Sequence, residues 1–103
     1  MSTRVPQSIE IVTFRLAGGS ADAFVAANAS VNEWLRRQPG FVWRQLAEQQ
    51  DGSFVDVVLW QSHDAALAAG AKMMEEMAQS PAMTMIDPAG LEMKHARIRV
   101  SVG

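Results

Sequence analysis

Two periodicities alternate along the chain. Ser8 to Leu16 (SIEIVTFRL) is rich in Ile, Val, Thr and Phe, residue types that fit a pleated, half-buried surface, and predicts a strand closed by Gly18-Gly19. The pattern then changes to a helical one. Phe24, Ala27, Val31, Trp34 and Leu35 recur on one face, Ser20 is placed to cap the first free amides, and Asp22 suits the positive end of the helix dipole. Asn28, Asn32 and Arg36 step by four along another face, which reads as solvated. Pro39-Gly40 ends this helix. A second helix is predicted from a Ser62 cap, with Asp64 in its first turn, to about Gln79; Leu67, Gly70, Ala71, Met74, Met77 and Ala78 form its predicted inward stripe. Ser80-Pro81 closes it, 82–88 reads as an irregular or one-turn connection, and Leu91 to Val100 is a last strand whose mixed polarity suits a sheet edge.

Between the helices lie two β-rich runs, Phe41 to Gln49 and Phe54 to Trp60, flanking Asp51-Gly52. That dipeptide accepts the positive φ angles of a two-residue hairpin turn. With Asp51 and Gly52 at the tip, Ala47 should oppose Asp56, Gln45 oppose Val58, and Trp43 oppose Trp60, placing both indoles on one face. The opposite face would then carry Val42, Arg44, Leu46, Val55, Val57 and Leu59. It is largely apolar, so a sheet covered by helices on one side needs a second cover on the other, and in a chain of 103 residues a second subunit is the obvious one. The order strand-helix-strand, strand-helix-strand predicts an α+β, ferredoxin-like βαββαβ domain spanning 1–103.

Composition narrows the partners. A net charge of -2 with no cluster of Lys or Arg argues against a nucleic-acid surface. No cysteine is present, which removes disulfides, thiolate metal sites and a Cys nucleophile. No apolar run is long enough for a membrane span and the amino terminus has no apolar leader region, so a cytoplasmic protein is expected.

The chain resembles the dimeric α/β-barrel superfamily, and within it the antibiotic-biosynthesis-monooxygenase-like domains. The resemblance rests on PGFV at Pro39 to Val42, the Asp51-Gly52 hairpin, VDVVLWQSHDAA from Val55 to Ala66, and DPAGLEMKH from Asp87 to His95. It implies a ferredoxin-like subunit with a four-stranded antiparallel sheet, two such sheets facing each other in a homodimeric barrel, and a small hydrophobic or aromatic ligand between each sheet and its own helices. Quinone-forming cofactor-independent monooxygenases and heme-degrading ones both belong to this superfamily, and Trp60 falls where both keep a Trp beside the substrate. Heme degraders also use an Asn on the first strand and an axial His on the second helix. Here those places hold Phe14 and, on the helix, Met73 and Met74, so no cofactor is expected and heme is disfavoured.

The candidate chemistry follows from these placements. Trp60 would stack on a planar ligand, with Trp43, Trp34, Met74 and Met77 as walls and Gln45 as a hydrogen-bonding group; the plain alternative is that the aromatics and methionines are ordinary core. Asp56 among valines would serve as a general base if buried, or instead pair with a neighbouring Arg, Lys or backbone donor. His95 would orient the substrate or transfer a proton, or be a satisfied strand histidine. His63 and His95 are far apart in sequence and carry no metal-ligand spacing, so no metal is expected. Two functions stay in view: a monooxygenase acting on an aromatic or quinol-like molecule, and a non-catalytic ligand-binding or stress-associated dimer.

Overall fold

The computed structural model describes residues 5–103; the start of the segment read above for a leader lies outside the described residues. Its elements run β1 (Ser8–Leu16), α1 (Ala21–Arg36), β2 (Phe41–Glu48), β3 (Phe54–Trp60), α2 (His63–Glu76), α3 (Pro81–Thr84) and β4 (Ile86–Arg97). The four strands form one antiparallel sheet in the order β2-β3-β1-β4. This is the expected ferredoxin-like βαββαβ arrangement, with the mixed-polarity last strand at an edge.

Local chemistry sets the boundaries. Ser20, Ser62 and Ser80 each accept a hydrogen bond from a first-turn amide of the helix that follows. Pro81 opens α3, where its missing N–H costs nothing. The stretch expected to be irregular is instead a one-turn helix running directly into β4, so that strand starts five residues earlier than predicted. Asp87 turns the chain there: its Oδ1 accepts the Ala89 amide at 2.9 Å, and the pairing with β1 is interrupted between Thr13 and Arg15.

The hairpin turn departs from expectation by one residue. The Gln49 amide donates to the Ser53 carbonyl at 2.7 Å, and the Gly52 amide to the Gln49 carbonyl at 3.0 Å. Gly52 alone has positive φ, at 86°, so the connection is three residues, Gln50 to Gly52, with glycine in the left-handed position. Asp51 stays in ordinary backbone space; its carboxylate accepts from the Ser53 amide and hydroxyl and pairs with Arg15, and the Ser53 bonds foremost hold it below the usual carboxylate range. An odd-length loop shifts every pair. Leu46 opposes Asp56 and Arg44 opposes Val58, and the sequence-based pairing of Ala47 with Asp56 and Gln45 with Val58 is corrected accordingly. A bulge between Phe41 and Trp43 then sets Phe41, not Trp43, opposite Trp60, with ring centroids 5.8 Å apart and planes at 76°.

The helices cover the face that carries Val12, Phe14, Phe54, Val58 and Trp60, which joins Phe24, Val31, Trp34 and Leu35 of α1 with Ala66 and Ala69 of α2 in one core. The α2 stripe is rotated from its prediction. Ala66 and Ala69 are buried, whereas Leu67 and Met74 are exposed, at 51% and 70%. Small inward residues let α2 approach the sheet, and a reading weighted towards large apolar side chains misses them. Gly40 shows the same closeness: at φ 82° its carbonyl accepts from the Gln61 amide at 2.8 Å, and an added Cβ would stand 2.6 Å from Cβ of Ala65. Gly40→Ala is therefore expected to cost roughly 2–4 kcal/mol, combining left-handed strain with displacement of α2. Urea unfolding of the variant checks this; a loss below about 1 kcal/mol would mean that α2 moves aside without resistance.

Candidate functional site

Between the inner sheet face and the helices lies a cavity of about 120 Å³, lined mostly by apolar side chains. Phe24, Val31, Trp34 and Leu35 come from α1, Ala69, Gly70 and Met73 from α2, Ala82 and Met83 from α3, and Leu91 and Met93 from β4. The sheet contributes Val12, Phe14, Val58 and Trp60 and three charged groups, Glu10, Arg44 and Asp56. Buried charge must be paired or shifted in its titration, and both solutions occur here.

Asp56 is paired. Arg44 donates from Nε to Oδ1 at 3.0 Å and from Nη2 to Oδ2 at 2.8 Å, a two-pronged grip, with the two side chains 8% and 17% exposed. The remaining guanidinium protons reach α1: Nη1 donates to Oδ1 of Asn32 and Nη2 to Oδ1 of Asn28, both at 2.8 Å. Asn28, 3% exposed, is fixed in turn by donating from Nδ2 to the Phe24 carbonyl at 2.8 Å. The asparagine face of α1, expected to be solvated, thus faces inward over part of its length and ties the helix to the hairpin. Arg44, expected on the outer face with Leu46, stands on the inner one because of the longer turn. Of the two roles open to Asp56, the structure displays the ion pair.

Glu10 is the shifted group. It follows the alternation of β1 that also turns Ser8, Val12 and Phe14 inward, opposite Val58 on one side and His95 on the other. Burial raises its carboxyl above the ordinary carboxylate range, and the Asp56 charge adds to this; His95, by charge and by hydrogen bonding, and the Trp60 N–H pull the other way. His95 Nε2 lies 3.4 Å from Glu10 Oε1. The Trp60 indole is 2% exposed, and its N–H has no hydrogen-bond partner among the described residues: it is near enough to Glu10 to favour ionisation, but not aligned for a bond of ordinary geometry.

Of the residues singled out from sequence, Asp56, Trp60 and Trp34 line this cavity, and Trp34 also donates to Oε1 of Glu76 at 2.9 Å. Met77 packs against the core beside it, while Met74 points away into solvent. Trp43 and Gln45 are corrected to the other face of the sheet by the hairpin register, with Trp43 beside Leu59 and Gln45 beside Val57. His95 borders a separate outer cleft of about 300 Å³, where its ring meets His63 edge-on at 5.2 Å between centroids. The fold thus joins two histidines that the sequence keeps apart, although among the described residues no three His, Cys, Asp or Glu side chains form a metal-binding group. Glu10, Arg44, Asn28 and Met73 are wall or network residues without a role in the sequence-based site; Glu10 was visible only as a carboxylate in phase with the buried positions of its strand.

The donors here do not fit heme. The α2 residues that reach the cavity are Ala69, Gly70 and Met73, His95 is turned to Glu10, and 120 Å³ is far below the size of a porphyrin.

No family model and no curated protein sequence matches the chain. Solved structures match its fold throughout. SnoaB, a cofactor-independent oxygenase from Streptomyces nogalater, superposes with a TM-score of 0.75 at 23% identity, over 95% of this chain and 98% of that one. A monooxygenase from Streptomyces coelicolor in complex with the ligand nanaomycin D gives 0.66 at 22%, over 94% and 91%. The heme-degrader MhuD from Mycobacterium tuberculosis, with two hemes bound in its active site, gives 0.75 at 20%, over 93% and 99%. The fold is that of the antibiotic-biosynthesis-monooxygenase-like proteins of the dimeric α/β-barrel superfamily. Among the described residues no helix is long and apolar enough to cross a membrane.

Proposed function

We propose that the protein binds a small phenolic or quinol-like aromatic molecule in the inner cavity and oxidises it with dioxygen, without metal, flavin or heme. The observation that carries this reading is the buried Trp60 N–H, a donor with no aligned protein acceptor in the wall of an apolar cavity. An unmade buried hydrogen bond is costly, and a ligand hydroxyl or carbonyl oxygen would complete it. The volume suits a single ring: a cavity of about 150 Å³ lined by apolar side chains takes up benzene. Larger ring systems would require Met73, Met83 and Met93 to swing aside, as flexible thioethers can. The fold shared with SnoaB and with the nanaomycin D complex supports the same chemistry. For a methylene carbon activated by hydroxylated rings, the reaction balances as CH2 plus O2 giving C=O plus water, the substrate supplying all the electrons.

Trp60 and Asp56 act in this reading as stacking surface and as anchor of the Arg44 network, and His95 as a proton-transfer group. Homodimerisation is part of the proposal. Ile9, Ile11, Trp43, Val55, Val57 and Leu59 make the outer sheet face apolar by strand alternation, and a second sheet would cover it. Binding without turnover is the second reading, favoured by Asp56 having both oxygens engaged by Arg44.

Hydroquinone should raise the melting temperature of the wild type, and Trp60→Phe, which keeps an aromatic ring but deletes the donor, should weaken its binding by about tenfold. Equal affinity in the two proteins would remove Trp60 from the site. Oxygen consumption with hydroquinone or a related quinol separates turnover from binding.

A further inference from the structure

Glu10 stands between the two hollows of the inner face. It lines the closed cavity, while its partner His95 lines the outer cleft, with His63, Asp64 and Arg97 around it. Their side chains are only 16% and 20% exposed, so this pair is a polar bridge through an otherwise apolar layer. Asp56 is committed to Arg44, which leaves Glu10 as the carboxylate of the cavity wall without an arginine. We propose that Glu10 exchanges a proton with the hydroxyl of a phenolic molecule in the cavity and that His95 passes this proton to the outer cleft. The proposal deepens the phenol-binding reading and rests on it.

The transfer is balanced without redox change. The phenol O–H bond breaks and leaves its electron pair on oxygen, and an O–H bond forms at Glu10. Glu10 then yields the proton to Nε2 of His95, and the imidazole releases it to water in the outer cleft. The net result is one proton moved from ligand to solvent and a phenolate left in the cavity, the form that reacts with oxygen. Glu10 suits the exchange because burial foremost, and then Asp56, hold its carboxyl above the ordinary range, closer to that of a phenol, while His95 and the Trp60 N–H keep the ionised form accessible. The charged and titratable groups facing the pair are Asp56 with Arg44 on the inner side and His63, Asp64 and Arg97 on the outer side.

4-Nitrophenol is a suitable probe, because its phenolate absorbs apart from its phenol. In the wild type, bound probe and Glu10 share one negative charge, so Glu10→Gln should lower the pH at which the bound probe ionises by about one unit. A measurement that needs no variant gives the converse: carbon NMR of the Glu10 carboxyl should show its titration moved by saturating 4-nitrophenol. With no ligand, His95→Asn should move the same titration upward, since His95 opposes the burial effect. If the probe binds but ionises at the same pH in wild type and Glu10→Gln, Glu10 is not the exchanging group and the cavity reading survives. A Glu10 titration indifferent to His95→Asn overturns the hand-off. Failure of the wild type to bind 4-nitrophenol or hydroquinone overturns the cavity reading and this proposal with it.

Discussion

Arg44→Ala is expected to lower the stability of the fold by about 3–5 kcal/mol, the range for removing one partner of a buried ion pair. The pair itself is not the reason, since buried charges lose in desolvation much of what they gain in attraction. The cost lies in what remains. Without the guanidinium, Asp56 keeps a carboxylate in a site where its side chain is 17% exposed, and the amide oxygens of Asn28 and Asn32 lose the donors that brought them inward. Three acceptors would then face one another with no proton among them. Urea unfolding of the variant measures the loss, and Arg44→Met with Asp56→Leu should recover most of it, because an apolar pair of similar volume leaves no orphaned charge. A single-variant loss under about 1 kcal/mol would show that water reaches Asp56 and replaces the guanidinium.

The same network marks where a sequence stops being legible. Strand β1, the face of α1 and the serine caps were all readable, because each depends on residues within one helical turn or one strand repeat. The partner of Asp56 depends on the parity of a turn thirty-odd ångströms of chain away from nothing but itself: Asp51-Gly52 fits both a two-residue loop, with positive φ at both residues, and a three-residue loop with Gly52 alone in the left-handed region. Composition does not choose between them, and the choice moves Arg44 from one side of the sheet to the other. Once Arg44 is inward, Asn28 and Asn32 cease to be a solvated face. Glu10 was hidden for a different reason. A single carboxylate in an apolar strand reads as a surface residue until its neighbours across the ladder, Val58 and His95, are known. On α2, the buried positions are alanines, whose contribution is closeness rather than area, so the pattern of large side chains pointed to Leu67 and Met74 instead.

These misreadings share a consequence for the cavity. A carboxylate locked by arginine and a carboxylate held near a histidine have opposite chemical prospects, although both are acids on the inner face. The first is held ionised by a partner that cannot give up its proton; the second faces a group that exchanges one readily near neutral pH. Sign matters here for stability as well. Because the folded protein raises the Glu10 titration, its neutral form contributes fully below the unfolded carboxylate value, and that contribution is lost as pH rises through the higher folded value.

Phe24→Ala should also cost about 3–5 kcal/mol, as for other buried Phe-to-Ala changes, and its loss should be partly reversible by a small aromatic ligand. Phe24 is 1% exposed and meets Phe14 and Phe54 edge-on, at 5.6 and 5.0 Å between centroids, while those two stack on each other at 5.9 Å. Truncation removes both edge contacts and opens a ring-sized void continuous with the cavity that Phe24 lines. A dry apolar void of that kind takes up benzene, and a ligand present at 100 times its dissociation constant returns about 2.7 kcal/mol by mass action. Benzene is therefore expected to raise the melting temperature of Phe24→Ala well beyond its effect on the wild type. If the variant is destabilised by the full amount and benzene changes nothing, the helices have collapsed onto the sheet, and the cavity is held open by Phe24 itself rather than by the surrounding framework.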